Sequence, residues 1–176
     1  MTYLALLPLS ISVTLLAVIL APVLPLFALG KDKLPSWLSW FQTPDAPIFG
    51  DAPFRETHQD SYLTRVIWLL RNPGYGFDWS VLATMVNETP RLVFGNPLIT
   101  DTAWPDVPAV PGWYGLATSD AWEFYWIKPF PFGLSRCFRI RLGWKLGGFL
   151  NNPAVWKLGS KAMYVFSIRP WAHFDD

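Results

Sequence analysis

The chain has 176 residues, near the usual size of one domain. Fourteen Lys and Arg against thirteen Asp and Glu leave a formal charge of +1, which argues against a strongly basic nucleic-acid binder and against an acidic disordered tail. One Cys excludes an internal disulfide framework and a multi-cysteine zinc knuckle, and two His exclude an all-histidine three-ligand metal site within one chain.

Residues 1–30 carry no charged side chain and read, from Tyr3, YLALLPLSISVTLLAVILAPVLPLFALG. A transmembrane helix needs about 20 mostly apolar residues to cross roughly 30 Å of hydrocarbon. Ser10, Ser12 and Thr14 are tolerable in lipid because a hydroxyl can donate to a carbonyl of the preceding turn. Pro22 and Pro25 each remove a backbone donor and predict a kink or an early end. A secretory signal peptide has a basic segment before its core and a shorter core, so cleavage after Ala28-Leu29-Gly30 and a buried core helix are the weaker alternatives. The favoured expectation is a retained transmembrane helix over 1–30. Lys31 and Lys33 follow it with no basic side chain before it, so the positive-inside bias predicts a cytoplasmic C-terminal part.

Residues 31–54 read as an interfacial segment and linker. Trp37, Trp40 and Phe41 suit the headgroup level, and Pro44, Pro47, Gly50 and Pro53 break regular structure. Over 60–71, Asp60 or Ser61 is a candidate N-cap, and Leu63, Val66, Ile67 and Leu70 form one apolar stripe, so an amphipathic helix is predicted, packed in the core. Pro73 and Gly74 end it, and NPGYGFDW over 72–79 reads as turns. Residues 79–87 suit a short helix or strand, and 95–115, with Pro97, Pro105, Pro108 and Pro111, read as loop.

The last third is more regular. Residues 121–128, AWEFYWIK, suit a strand. Over 137–146, Phe138, Ile140, Leu142, Trp144 and Leu146 alternate with Cys137, Arg139, Arg141, Gly143 and Lys145, a period of two with one apolar and one largely basic face. A third strand is expected over 161–170. The fold class is therefore α+β: an N-terminal transmembrane helix, then an aromatic-rich domain over 55–176 with an antiparallel sheet of about three strands and one or two helices.

From Phe124 to Phe174 there are eight Lys or Arg and no Asp or Glu. If the basic face is exposed, Arg139, Arg141 and Lys145, with Trp37 and Trp40, are candidate contacts to lipid headgroups or a partner protein. Nucleic acid is an improbable partner, since the aromatics are needed to fill a small core. Catalytic candidates are poor. Cys137 lacks a neighbouring His in sequence, His58/Asp60 and His173/Asp175 match no specific metal motif, and Glu56 with Glu88 or Glu123 has no spacing that implies proximity. No cofactor motif is present.

The uncharged N-terminal segment, LPSWLSWFQTPDAP, RNPGYGFDW, and RCFRIRLGWKLGG followed by YVFSIRPW together resemble a group of small, uncharacterised membrane proteins encoded by bacteriophages and prophages. The resemblance implies a bacterial inner membrane and carries no functional residues with it. The sequence thus predicts a single-pass membrane-anchored accessory or interaction protein. The alternatives are a structural component of a phage particle or membrane assembly, and a small enzyme acting on a lipid or envelope substrate.

Overall fold

The computed structural model describes residues 3–95, 111–131, 136–151, 154 and 156–173. It divides into two compact units, Met1–Leu82 and Ala83–Asp176. The first is helical and the second is built on antiparallel sheets, so the class is α+β with an apolar N-terminal helix.

In the first unit α1 runs Tyr3–Leu20. It stops two residues before Pro22, and a 3₁₀ turn over Leu24–Ala28 carries Pro25 near its start, where the missing N–H is not needed. Ser12 Oγ donates to Pro8 O at 2.8 Å, the local hydroxyl bond expected of a helix in an apolar setting. A second 3₁₀ turn covers Ser36–Phe41. Helix α2, Ala52–Thr57, is capped by Asp51, whose Oδ1 accepts from Phe54 N at 3.0 Å. Helix α3, Tyr62–Arg71, is capped by Ser61. Asp60, the other candidate cap, instead takes Arg65 in a two-pronged ion pair, Nε–Oδ1 and Nη2–Oδ2 both at 2.7 Å. The turns expected over 72–79 wind into a short helix α4, Tyr75–Ser80, entered through Gly74 at φ 70°.

Helices α3 and α4 lie along α1. Arg65 Nη1 donates to Ala28 O at 2.7 Å and Lys31 O at 3.1 Å, and the Tyr62 hydroxyl donates to Pro22 O. Gly74 approaches the Thr14 backbone, and Ser10 Oγ donates to Asp78 Oδ1 at 3.0 Å. The seam on α1 is narrow: Tyr3, Ser10 and Ala17, seven apart, are its buried residues. The core continues through Ala21, Leu24, Ala28, Leu34, Leu38, Phe41, Ile48 and Leu69. Helix α4 presses on the second 3₁₀ turn so closely that a Cβ on Gly76 would lie 2.2 Å from Ser39 O.

The helix over 60–71 thus belongs with the N-terminal unit. Its buried residues are Thr64, Val66, Trp68 and Leu69, whereas Leu63, Ile67 and Leu70 of the expected core stripe are exposed. Trp68 is the reason for the rotation: its ring packs on Phe54 at 5.0 Å and its indole N–H donates to Thr43 Oγ1 at 3.1 Å, so the large amphipathic ring takes the inner position.

The second unit contains a two-stranded and a five-stranded sheet rather than one sheet of about three strands. Strand β1, Thr84–Val86, pairs with β6, Ser160–Ala162. The larger sheet runs in the order β2 (Arg91–Gly95), β3 (Gly112–Ala117), β4 (Trp122–Pro129), β5 (Arg136–Trp144) and β7 (Tyr164–His173), all neighbours antiparallel. The third expected strand is split between β6 and β7. Strands β2 and β3 occupy the ends of the stretch expected to be loop. Its middle, 96–110, lies outside the described residues. Strand β3 has glycine at 112 and 115, which weakens its sequence signal. The Phe94 ring compensates by lying over its cross-strand partner Gly115, where a Cβ would be 2.4 Å away. A five-residue helix α5, Gly147–Asn151, follows β5.

Candidate functional site

The register of the five-stranded sheet decides which residues share a face. Tyr114 of β3 pairs with Tyr125 of β4, and Tyr125 pairs with Arg141 of β5. Glu123 pairs with Gly143, so Glu123 and Arg141 are diagonal neighbours on the same side. Gly143 is required there: its φ is +102° and a Cβ would lie 2.1 Å from Trp122 O. On this inner face Tyr114, Glu123, Tyr125, Cys137, Arg139 and Arg141 are all buried, and Lys145 just beyond β5 is buried too.

The expected exposed basic face is therefore an interior. Arg139 is 5% exposed, Arg141 4% and Lys145 6%, so none is presented to a headgroup or to a partner in solution. The physical reason is the composition of the neighbouring strands. Glu123 sits at the right register to receive Arg141, with Nε–Oε1 at 2.6 Å, and its other oxygen accepts the backbone N–H groups of Leu146 and Gly147, each at 2.7 Å. The chain thereby turns across the inner face and starts α5 on a carboxylate, which suits the positive end of a helix. The Tyr114 hydroxyl donates to Glu123 Oε1 at 3.4 Å. The Tyr114 and Tyr125 rings stack at 5.2 Å, and the Arg141 guanidinium lies 5.5 Å from the Tyr125 ring centroid. Charge and phenol cover one another here where a conventional core has aliphatic contact.

Burial pushes both phenols up. Tyr114 is raised well above its usual value, first by loss of water and then by the Glu123 charge. Tyr125 is raised by burial against the opposing pull of Arg141 and Arg139. Arg139 acts on the Tyr125 phenol without giving it a hydrogen bond of regular geometry. The cluster has no open nucleophile or base: Glu123 is bound by three N–H donors and a hydroxyl, and Cys137 is 0% exposed.

The opposite, outer face carries Phe94, Trp113, Trp122, Phe124, Trp126, Phe138, Ile140, Leu142, Phe166, Ile168 and Trp171. Trp113 is 54% exposed, Ile168 51% and Trp171 58%. The rings touch in pairs: Phe94 with Trp113 at 5.0 Å, Trp126 with Phe138 at 5.5 Å and Phe130 with Trp171 at 5.0 Å. Trp126, Lys128, Pro129, Phe130, Pro131 and Phe138 line an open, largely apolar groove at one end. Glu123 is the one carboxylate on these five strands, and it faces inward.

Trp37 and Trp40 lie in the helical unit and are exposed, at 67% and 48%; Trp37 meets Phe27 edge-on at 5.6 Å and Trp40 meets Phe77 at 5.2 Å. Arg139, Arg141 and Lys145 belong to the second unit. His58 is a local cap: its ring stacks on Phe54 at 4.1 Å, and Nδ1 lies 2.8 Å from Thr57 Oγ1 and 3.0 Å from Phe54 O. The Glu88 carboxylate accepts from Ser119 N, which lies between β3 and β4. Among the described residues no three His, Cys, Asp or Glu side chains gather as a metal site. Asp175 and the side chain of His173 lie outside the described residues.

Sequence reasoning missed Glu123, Tyr114 and Tyr125 as partners of the basic alternation. The signal was present in β4, where Glu123, Tyr125 and Ile127 share one parity and Trp122, Phe124 and Trp126 the other. Two adjacent strands that each separate polar from aromatic residues align both sets when paired.

An apolar N-terminal helix and antiparallel sheets make this an α+β protein. Residues 1–174 match the model of DUF7338, a family of unknown function, and the chain belongs to that family. No curated protein and no solved structure matches it.

Proposed function

We propose that this protein is a single-pass, membrane-anchored accessory or interaction protein, with α1 as its anchor. The observation that carries the reading is the direction of the α1 side chains. Leu4, Leu15 and Ile19 are 74%, 59% and 72% exposed, on a helix whose hydropathy and length suit a membrane span. A core helix hides such residues, whereas a lipid-facing helix must display them. Eighteen residues rise about 27 Å, close to the thickness of the hydrocarbon.

The rest of the helical unit is compatible with that setting. Helix α3 turns Leu63, Ile67 and Leu70 outward, and Asp78 directs its carboxylate to Ser10 on α1. Lys31 and Lys33 then mark the cytoplasmic side, and Trp37, packed on Phe27 just past the end of α1, the headgroup level. On the resemblance to phage- and prophage-encoded membrane proteins, the membrane is the bacterial inner membrane. The headgroup role expected of Arg139, Arg141 and Lys145 is not retained, because these side chains are interior. The outward aromatic sheet also favours a second reading, a component of a membrane-bound assembly, since a large exposed apolar surface is costly on a free monomer.

The test is carbonate extraction of bacterial membranes carrying the full chain with a C-terminal tag, followed by protease treatment of spheroplasts. The expected result is a carbonate-resistant pellet with the tag protected. Release by carbonate rejects the anchor, and a cleaved tag in a resistant pellet rejects the cytoplasmic orientation.

A further inference from the structure

We propose that the outer face of the five-stranded sheet is a second membrane-contact surface, one that lies on a bilayer containing anionic lipid. It rests on the anchored reading above in one respect: α1 keeps the sheet close to the lipid.

Three observations lead to this occupant. First, the sheet is inverted relative to one that faces water. Antiparallel sheets with one solvated face put apolar residues inward and polar residues outward. Here the charged and phenolic residues are inside, and tryptophan, phenylalanine, isoleucine and leucine are outside. Secondly, the outer set has the composition of a membrane interface. Trp113, Trp122, Trp126 and Trp171 present amphipathic rings, the side chain enriched at headgroup level. Thirdly, the charge carried by the outer parity of the strands is of one sign. Arg91, Lys128 and Arg136 fall on the outer parity of β2, β4 and β5, where no carboxylate of these strands lies, although Glu88, before β2, borders the same depression as Arg91. Lys128 borders the groove formed with Trp126, Phe130 and Phe138, and the Arg136 guanidinium lies 5.9 Å from the Trp171 ring centroid. An exposed apolar face whose own charged residues, on the strands themselves, are cations is complementary to a surface that is apolar below and anionic above, which an anionic bilayer provides.

The experiment uses the full chain, with single nitroxide labels, in phosphatidylcholine nanodiscs with and without phosphatidylglycerol. Cys137 is fully buried, so an introduced surface thiol is labelled selectively. Labels are placed at Trp113→Cys and Ile168→Cys on the outer face, at Asp120→Cys in the β3–β4 turn as the water control, and at Leu15→Cys on α1. Accessibility to oxygen and to a water-soluble nickel chelate is then compared.

With phosphatidylglycerol present, the labels at 113 and 168 should favour oxygen, while the label at 120 favours nickel. Combining Lys128→Gln with Arg136→Gln should reduce the lipid-immersed population of the outer-face labels by about fivefold for each charge removed. Nickel access at 113 and 168 equal to that at 120 overturns the proposal; if Leu15 remains oxygen-accessible, the anchored reading survives alone. Nickel access at Leu15 overturns the anchor. Spin–spin broadening at 113 and 168, with shielding from both reagents in lipid and in detergent alike, also overturns the proposal and assigns the face to a second copy of the chain. A label that disturbs the sheet is recognised by Cys137 becoming reactive, and Phe166→Cys then replaces it.

Discussion

Glu123 is the residue on which the inner face of the sheet depends. It receives Arg141, two backbone N–H groups and the Tyr114 hydroxyl, and all of this occurs out of contact with water. Removing one member of a buried ion pair leaves the other charged and poorly solvated, a loss of about 3–5 kcal/mol. Glu123→Gln preserves shape and removes the charge, so it should lower the thermal or denaturant midpoint of the full chain in detergent by that order. An unchanged midpoint contradicts the role assigned to Glu123. The phenols give a pH dependence of defined sign. Tyr114 and Tyr125 have folded-state pKa values raised above the unfolded value of about 10. Their contribution to stability is complete below pH 10 and is lost as pH rises from there toward the folded values, because the unfolded chain releases the protons first. Tyrosinate absorbance should therefore develop together with unfolding of the sheet. Free titration of both phenols near pH 10 in a folded chain contradicts this.

Among the elements, α3 is tied to the end of the N-terminal helical segment by Arg65 and by the Tyr62 hydroxyl on Pro22 O. Arg65 bridges Asp60, just before its own helix, to Ala28 O and Lys31 O. The Asp60 hydrogen bond from Arg65 is the main cause of its lowered carboxyl pKa. That contribution is present above the unfolded pKa of about 3.9 and is lost as pH falls through the folded value. The Asp60 side chain is 40% exposed, so screening limits the ion pair itself to about 1 kcal/mol or less. Arg65 also satisfies two backbone carbonyls, so Arg65→Met should cost more than Asp60→Asn, by about 1 kcal/mol. Denaturation of both variants in detergent checks the order, and equal losses contradict the bridge.

At the scale of the whole molecule, residues 1–82 and 83–176 each have their own internal contacts. Cooperative units of this kind open separately in hydrogen exchange. Glu123→Gln should therefore speed amide exchange across β3, β4 and β5 and leave α1, α3 and α4 unchanged. Mass-resolved exchange on the full chain measures this, and uniform acceleration in both units contradicts the division.

Local chemistry was legible because its causes are short-range. The apolar run of α1, its end before Pro22, the Ser61 cap and the strands around 122–129 and 136–144 each follow from residues a few positions apart. The period of two in β5 correctly sorted its residues into two sets. Periodicity carries no sign, however: it says which residues share a face and is silent on which face is inside. The inner assignment of Arg139, Arg141 and Lys145 came from Glu123, Tyr114 and Tyr125 arriving at the same parity from other strands. The same holds for α3, where Leu63, Val66, Ile67 and Leu70 defined a plausible apolar stripe, but Trp68, meeting Phe54 and Thr43, set the rotation. The sequence by itself determined an apolar helix, capped helices and alternating strands, since these depend on backbone chemistry and neighbours along the chain. Only the tertiary structure decided the five-stranded order, the interior of charge and phenol, and the outward aromatic face, because these depend on partners distant in sequence.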